Sequence, residues 1–147
     1  MRKTSKIKGI DRIIDANLNR LKEGLRVLEE ICRFIIDSRE LTLQFKKTRH
    51  KINAIAGRLN AQTELIEERA SLEDVGRLMH HKKELERKNC QDIFFANSTR
   101  VKESLRVLEE FSKLKDIRIA LEFKKIRYGI YELEKKSAKR LPALRNT

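Results

Sequence analysis

From Ile10 to Ile35 the apolar residues Ile10, Ile13, Ile14, Leu18, Leu21, Leu25, Leu28 and Ile35 recur at helical spacing, with polar residues between them. Steps of three and four keep one face of a helix apolar, so the pattern predicts one long amphipathic helix from Ile10 to about Asp37. In "DSRE" the Ser38 hydroxyl is placed to accept from the first amides of a new helix, and Leu41, Phe45, Thr48, Ile52, Ile55 and Leu59 follow at helical steps. A second helix to about Asn60 results, and the short connection makes the two antiparallel neighbours.

The stretch 61–82 loses this period and predicts a short helix, a loop around Ser71 to Gly76 and re-entry into helix. From about Lys83 a long helix carries Leu85, Ile93, Phe94, Val101, Leu105, Leu108 and Phe111. After "KLKD" a last helix carries Ile119, Phe123, Ile126, Ile130 and Leu133, and Pro142 marks a frayed basic end.

The polar positions repeat as well. "ANLNRLKEGLRVLEE", residues 16–30, returns eighty residues later as "ANSTRVKESLRVLEE", residues 96–110, with eleven of fifteen positions identical. "FKKTRHKI" at 45–52 matches "FKKIRYGI" at 123–130, where the offset has fallen to 78, so the two connections differ by two residues. The repeat unit is a helical hairpin present twice. Two copies are too few for a solenoid and suffice for a bundle of two long hairpins with internal pseudo-twofold symmetry. The expected fold class is all-α: one domain over 1–147, with a first repeat at about 10–60, a linker at about 61–82, a second repeat at about 83–136 and a basic tail at 137–147.

Residues placed 100° apart on the first helix, with Asn17 at 0°, give an apolar stripe from about 320° to 100°. Asn17 lies inside it. An unpartnered buried amide costs about 1–3 kcal/mol, so Asn17 should bond either its counterpart Asn97 or a ligand. Arg20, Glu23 and Glu30 begin a polar flank where the stripe ends. Glu23 with Arg26 and Arg26 with Glu30 are also helical ion-pair spacings, which alone would read as a solvated face. Yet other surface positions have drifted between the copies, Leu18 to Ser98 and Asn19 to Thr99 among them, while the Asn, Arg and Glu positions are kept. Arg49 and Arg127 in the partner helices add two guanidiniums. Such forks bind phosphate bidentately, and carboxylates can hold a hydrated Mg²⁺.

Composition narrows the choice further. Charged residues make up 39% of the 147, against one Pro and five Gly, which suits long solvated helices. No apolar run reaches the roughly 20 residues that span a bilayer, and the basic N-terminus lacks an apolar core, so no membrane and a cytoplasmic location are expected. Cys32 and Cys90 stand apart and read as fillers of helix faces. Adjacent His80 and His81 diverge on a helix, so zinc is not expected. The net charge is +13, but nine of those charges fall in 1–8 and 135–147, so a nucleic-acid role would rest on the tails. The glycines form neither a P-loop nor a dinucleotide fingerprint, and no nucleophile elbow, HExxH or kinase signature occurs. Any chemistry rests on side chains projected from helices.

"DANLNRLKEGLRVLEEICRF", "LQFKKTRHKI", "ERASLEDVG", "ANSTRVKESLRVLEEFSKL" and "IRYGIYELE" together resemble, over roughly Ile10 to Glu134, the all-helical domain at the N-terminus of some bacterial thiamine-phosphate synthases, which also occurs alone. That family is proposed to be an alternative hydroxymethylpyrimidine-phosphate kinase, making the diphosphate with ATP. Its strongest positions fall on Asn17, Arg20, Glu23, Arg26, Glu29 and Glu30, and on Asn97, Arg100, Glu103, Arg106, Glu109 and Glu110. Its Arg-containing second helices fall on Arg49 with His50 and Arg127 with Tyr128. A central pattern falls on Arg69, Ser71, Asp74 and Gly76, with Ala70 replacing the first acid.

The resemblance implies a thiamine-biosynthesis phosphotransferase using ATP and Mg²⁺. Arg20, Glu23, Arg100, Glu103 and Asp74 would act at the reacting phosphate. Asn17, Arg26, Arg49, Arg69, Gly76, Asn97, Arg106 and Arg127 would bind substrate, and Glu30 and Glu110 the metal. No barrel is present to perform the synthase reaction. One half or one loop, such as Asp74 to Gly76, is expected to break the symmetry. The alternatives are a non-catalytic module delivering a pyrimidine phosphate to a thiamine-phosphate synthase, and a basic nucleic-acid binder. Expected partners are a phosphorylated pyrimidine, such a synthase and, as an open alternative, a second copy in a homodimer.

Overall fold

A computed structural model describes residues 9–59 and 69–141. Four long helices make the fold: α1 (Ile10–Glu30), α2 (Arg39–Arg58), α3 (Cys90–Ser112) and α4 (Ile117–Ala138), and no strand occurs among the described residues. The fold is an all-α bundle. Side-chain oxygens start three of the helices: Ser38 accepts from the Leu41 amide, Asn89 from that of Asp92 and Asp116 from that of Arg118. At the head of α1, Gly9 takes φ 102°, a conformation that a side chain would strain.

α1 and α3 form the central pair. Gly24 meets Val101, while Asp11 near the start of α1 meets Lys115 just past the end of α3, so the two helices run antiparallel. Their approach is close: a Cβ on Gly24 would lie 2.7 Å from Val101 Cγ2 and 3.4 Å from the Asn97 carbonyl oxygen. α2 lies mainly against α1 and α4 against α3, with a smaller contact between α2 and α4. Ile14, Leu21, Leu25, Phe45, Ile52, Phe94, Val101, Leu105, Phe123 and Ile130 fill the space between them. Each such side chain contributes about 1.5–3 kcal/mol through burial.

Four expectations need correcting. The first helix does not continue unchanged to Asp37: after Glu30 it widens into a π-turn, Ile31–Ile35. In the second half the corresponding chain passes through a turn at 113–115 straight to its cap at Asp116, whereas the first half must also accommodate Ile36 and Asp37 before Ser38. These are the two extra residues of the first connection. The wider turn and a left-handed Asp37 (φ 58°) absorb them. Ile35, assigned by spacing to the core, is therefore exposed, and Ile36 is buried in its place.

α3 begins at Cys90 rather than about Lys83, because the Asn89 cap sets its start; Leu85 sits exposed in the 3₁₀ turn Lys82–Leu85. The loop near Ser71 holds a 3₁₀ turn, Ser71–Glu73, and the short helix expected before it, like Pro142, lies outside the described residues. The tail does not separate at 137. α4 continues to Ala138, with Ser137 and Leu141 buried against the bundle.

Candidate functional site: two unlike clefts

Asn17 is buried, as its place in the stripe implies, and it does not bond Asn97. Its Nδ2 donates to the Ile13 carbonyl at 2.9 Å, and Asn97 Nδ2 does the same to Ile93 at 2.8 Å. Each amide spends one of its two N–H donors on its own helix one turn back, which leaves the second N–H and the Oδ1 for another partner.

Two largely buried ion pairs join first and second helices at matching places. Arg49 donates through Nε and Nη2 to the two oxygens of Glu29 at 2.9 and 3.3 Å; Arg127 donates through Nε and Nη2 to Glu109 Oε1 at 3.3 and 3.0 Å. Glu29 and Glu109 are 4% and 5% exposed, so these carboxylates cannot be left uncompensated. Arg26 and Arg106 reach the same acids from the solvent side, at 3.7 and 3.6 Å. Arg49 and Arg127 thus hold the hairpins together, and offering them to phosphate would break buried ion pairs. Burial opposes the charge on Arg127 most strongly, but the hydrogen bond and charge of Glu109, with Tyr131 and Tyr128, together outweigh it and its pKa is raised. The signal for this role was in the sequence: Glu29 lies at about 120° on the helix, at the edge of the apolar stripe and away from the flank of Arg20, Glu23 and Glu30.

That flank does border a cleft in the first half. Glu23, Arg26 and Glu30 form one edge of an open groove of about 840 Å³, Arg87, Lys88 and Asn89 form another, and Val27, Ile31, Phe34, Ile35, Cys90 and Ile93 make its floor. The π-turn supplies Phe34 and Ile35, which are 64% and 44% exposed. Arg87 is held by carbonyls, its Nη1 donating to Glu86 at 2.8 Å and Glu84 at 3.2 Å. Burial raises the pKa of the Cys90 thiol above its ordinary value. Volume, an apolar floor and a few charged groups at the rim are what a small-molecule site requires.

The second half differs. Thr99, Lys102, Glu103, Arg106, Arg127 and Tyr131 line a polar cleft of about 450 Å³. Its cations are already engaged: Lys102 with Glu134 at 2.8 Å, Arg106 with Glu110 at 3.0 Å and Arg127 with Glu109. Glu110 is held below the usual carboxylate range by its hydrogen bond from Lys113, with Arg106 adding to the effect. Its charge is shared between Arg106 at 3.0 Å and Lys113 at 3.2 Å.

The remaining candidates lie outside both clefts. Arg20 and Arg100 are exposed and line neither. Arg69 donates to both oxygens of Asp15 at 2.9 and 2.8 Å, fastening the connecting segment to α1 instead of standing ready for substrate. Asp74 Oδ1 accepts from the Gly76 amide at 3.2 Å, closing a tight exposed turn. Among the described residues no three His, Cys, Asp or Glu side chains cluster as metal ligands. Mg²⁺ retains most of its waters and often uses one carboxylate, so Glu30 or Glu23 at the groove fits that weaker requirement. Spacing alone missed Phe34, Ile35, Ile93 and Arg87 to Cys90. Exposure of the aliphatic and aromatic residues depends on a π-turn and on a helix start that periodicity cannot resolve.

Fold and clefts define a helical bundle whose ligand-sized groove is built from helix side chains and not from a nucleotide-binding loop. The chain belongs to the ThiD2 family, whose family model matches residues 12–136. It is 42% identical over 125 residues to a thiamine-phosphate synthase of Synechocystis sp. (strain ATCC 27184 / PCC 6803 / Kazusa), covering 85% of this chain and 35% of the relative. A thiamine-phosphate synthase of Nostoc punctiforme (strain ATCC 29133 / PCC 73102) is 41% identical over 126 residues, covering 84% and 34% respectively. The chain spans about a third of the length of these curated relatives. Family and relatives together connect it to thiamine biosynthesis. No solved structure matches. No helix among the described residues is long and apolar enough to cross a membrane.

Proposed function

We propose that the chain phosphorylates hydroxymethylpyrimidine phosphate to the diphosphate, with the first-half groove as its ligand site. A phosphate oxygen of the substrate attacks the γ-phosphorus of ATP, the new P–O bond forms as the bond to ADP breaks, and ADP leaves. The observation that carries this reading is the groove itself: Glu23, Arg26 and Glu30, from the repeated motif, stand over an apolar floor wide enough for a substituted pyrimidine.

The division of labour follows from charge. Arg26 and Lys88 offset phosphate charge at the rim, and Val27, Ile31 and Phe34 receive the ring. Glu30, with Glu23 beside it, would hold hydrated Mg²⁺, which neutralises phosphate oxygens when bound. A loose phosphoryl-transfer transition state asks chiefly for position and compensating charge, and no protein nucleophile is needed. Incubation with hydroxymethylpyrimidine phosphate, ATP and Mg²⁺, followed by phosphorus NMR, should yield the diphosphate and ADP. Absence of diphosphate while the phosphate still binds would reject the kinase reading.

That outcome would favour a second reading, supported by the relatives. Their name is thiamine-phosphate synthase and this chain spans only a third of them, which suits a module that binds a pyrimidine phosphate and passes it to a synthase. It predicts affinity without turnover. Nucleic-acid binding is a weaker reading, because much of the excess positive charge lies in the terminal segments; it predicts steep loss of affinity with salt.

A further inference from the structure

Between Arg69 and Asn89 the chain holds five large apolar side chains in solvent: Leu72, Val75, Leu78, Met79 and Leu85 are 78%, 86%, 77%, 69% and 71% exposed. Single exposed apolar residues are ordinary; five in so short a stretch form a surface that something should cover. Its secondary structure consists of short 3₁₀ turns, with few backbone hydrogen bonds to hold one shape.

One end of the segment lies in the rim of the first-half groove and the other is fastened further along α1. Arg69 is tied to Asp15 on α1, while Arg87, Lys88 and Asn89 already form the groove's rim. Asp15 and Glu30 are separated by roughly 22 Å along the helix. The twenty-one residues from Arg69 to Asn89 can reach about 70 Å when extended, so there is slack to fold inward. In the groove Phe34, Ile35 and Ile93 are 64%, 44% and 37% exposed. Two exposed apolar surfaces are thus joined by continuous chain through Arg87 to Asn89.

We propose that Ser71–Leu85 is the roof of this groove: it closes over bound ligand, seats Leu72, Val75, Leu78 and Met79 against Phe34, Ile35 and Ile93, and brings the Asp74–Gly76 turn to the charged rim. The inference rests on the groove being the ligand site. Closure excludes water from the phosphates, removes apolar area from solvent and makes the roof residues part of the binding surface. It also gives Asp74 a place beside Glu23 and Glu30, although its turn stands outside the groove in the open form.

Disulfide trapping tests this in the full chain. Leu78→Cys is combined with Ile35→Cys across the groove, in a Cys90→Ser background, and compared with Leu78→Cys plus Leu121→Cys on exposed α4, using diamide as oxidant. The groove pair should form an intramolecular disulfide at least tenfold faster than the control, and faster still with hydroxymethylpyrimidine phosphate. Equal rates, or disulfide-linked dimers in place of the intramolecular bond, would overturn the roof. Calorimetric titration of the same phosphate separates the two ideas. Binding without faster trapping rejects closure over ligand and spares the groove; rapid selective trapping without binding supports closure and rejects the phosphate reading.

Discussion

In the first half Glu23, Arg26 and Glu30 border an apolar groove of about 840 Å³; in the second, Glu103 and Arg106 border a polar cleft of about 450 Å³ shared with Lys102, Arg127 and Tyr131. The motif is common to both, but the surroundings are not. What the halves share is a framework, the Glu29–Arg49 and Glu109–Arg127 pairs that join each hairpin. Two things separate them: Ile36 and Asp37 lengthen one connection, so that the helix before them takes a π-turn and Phe34 and Ile35 emerge beside the groove, and Arg87, Lys88 and Asn89 close its other edge. Retention of charged residues in a duplicated segment is therefore two observations combined. Some of those charges hold the bundle together, and others border a cleft in each half, floored by apolar side chains in the first and polar in the second.

The largest expected effect would break the shared framework. Glu29→Ala and Glu109→Ala should each cost about 3–5 kcal/mol, since each leaves a poorly solvated guanidinium without its acid. Urea denaturation measures it. A loss below about 1 kcal/mol in both would show that these pairs are not structural and would return Arg49 and Arg127 to the ligand.

Gly24→Ala comes next. Its new Cβ would meet Val101 Cγ2 at 2.7 Å, on a stiff β-branched side chain, and pushing α1 and α3 apart should cost about 1–3 kcal/mol. The counterpart position already holds Ser104, which is buried, so Ser104→Ala should cost less. Equal losses at both positions, read from thermal midpoints, would show that the helix pair is equally tight on both sides.

Phe34→Ala separates the halves by function. Its side chain is exposed, so stability should move by no more than about 0.5 kcal/mol, while affinity for hydroxymethylpyrimidine phosphate falls about tenfold. Leu114→Ala, eighty residues on and equally exposed, should change neither. Calorimetric titration of both variants decides, and equal affinities would remove Phe34 from the site.

The smallest effect concerns the contact between the second helices. A hydrogen bond from Arg58 holds the Glu122 pKa below its usual range. A depressed acid pKa contributes stability above the unfolded value and loses it as pH falls through the folded one. The contribution should fade below about pH 4.5, and Glu122→Gln should flatten that part of the acid limb. An unchanged pH profile in the variant would remove this pair from the acid sensitivity.

Much of this fold was legible because helical periodicity over four long stretches admits few alternatives, and Ser38 announced its cap. Periodicity failed where the helix itself changed pitch: Ile35 has a core position on an ideal helix and loses it in the π-turn. Leu85 was read as core since an apolar residue at the right step cannot reveal that Asn89 starts the helix later. Within the site, the repeat identified Glu23, Arg26 and Glu30. It could not separate them from Arg49 and Arg127, because identical retention serves a buried ion pair and a ligand contact alike. Helical angle separates them better, since Glu29 lies at the stripe's edge, facing the partner helix.

If the first-half groove is the ligand site, ligand should enter that half alone. Amide and methyl NMR of the labelled protein, titrated with hydroxymethylpyrimidine phosphate, reads this residue by residue. The largest shifts should fall on Val27, Ile31, Phe34, Ile35 and Ile93, with Lys102, Arg106 and Tyr131 left in place. Shifts centred on the second cleft, or spread equally over both halves, would contradict it.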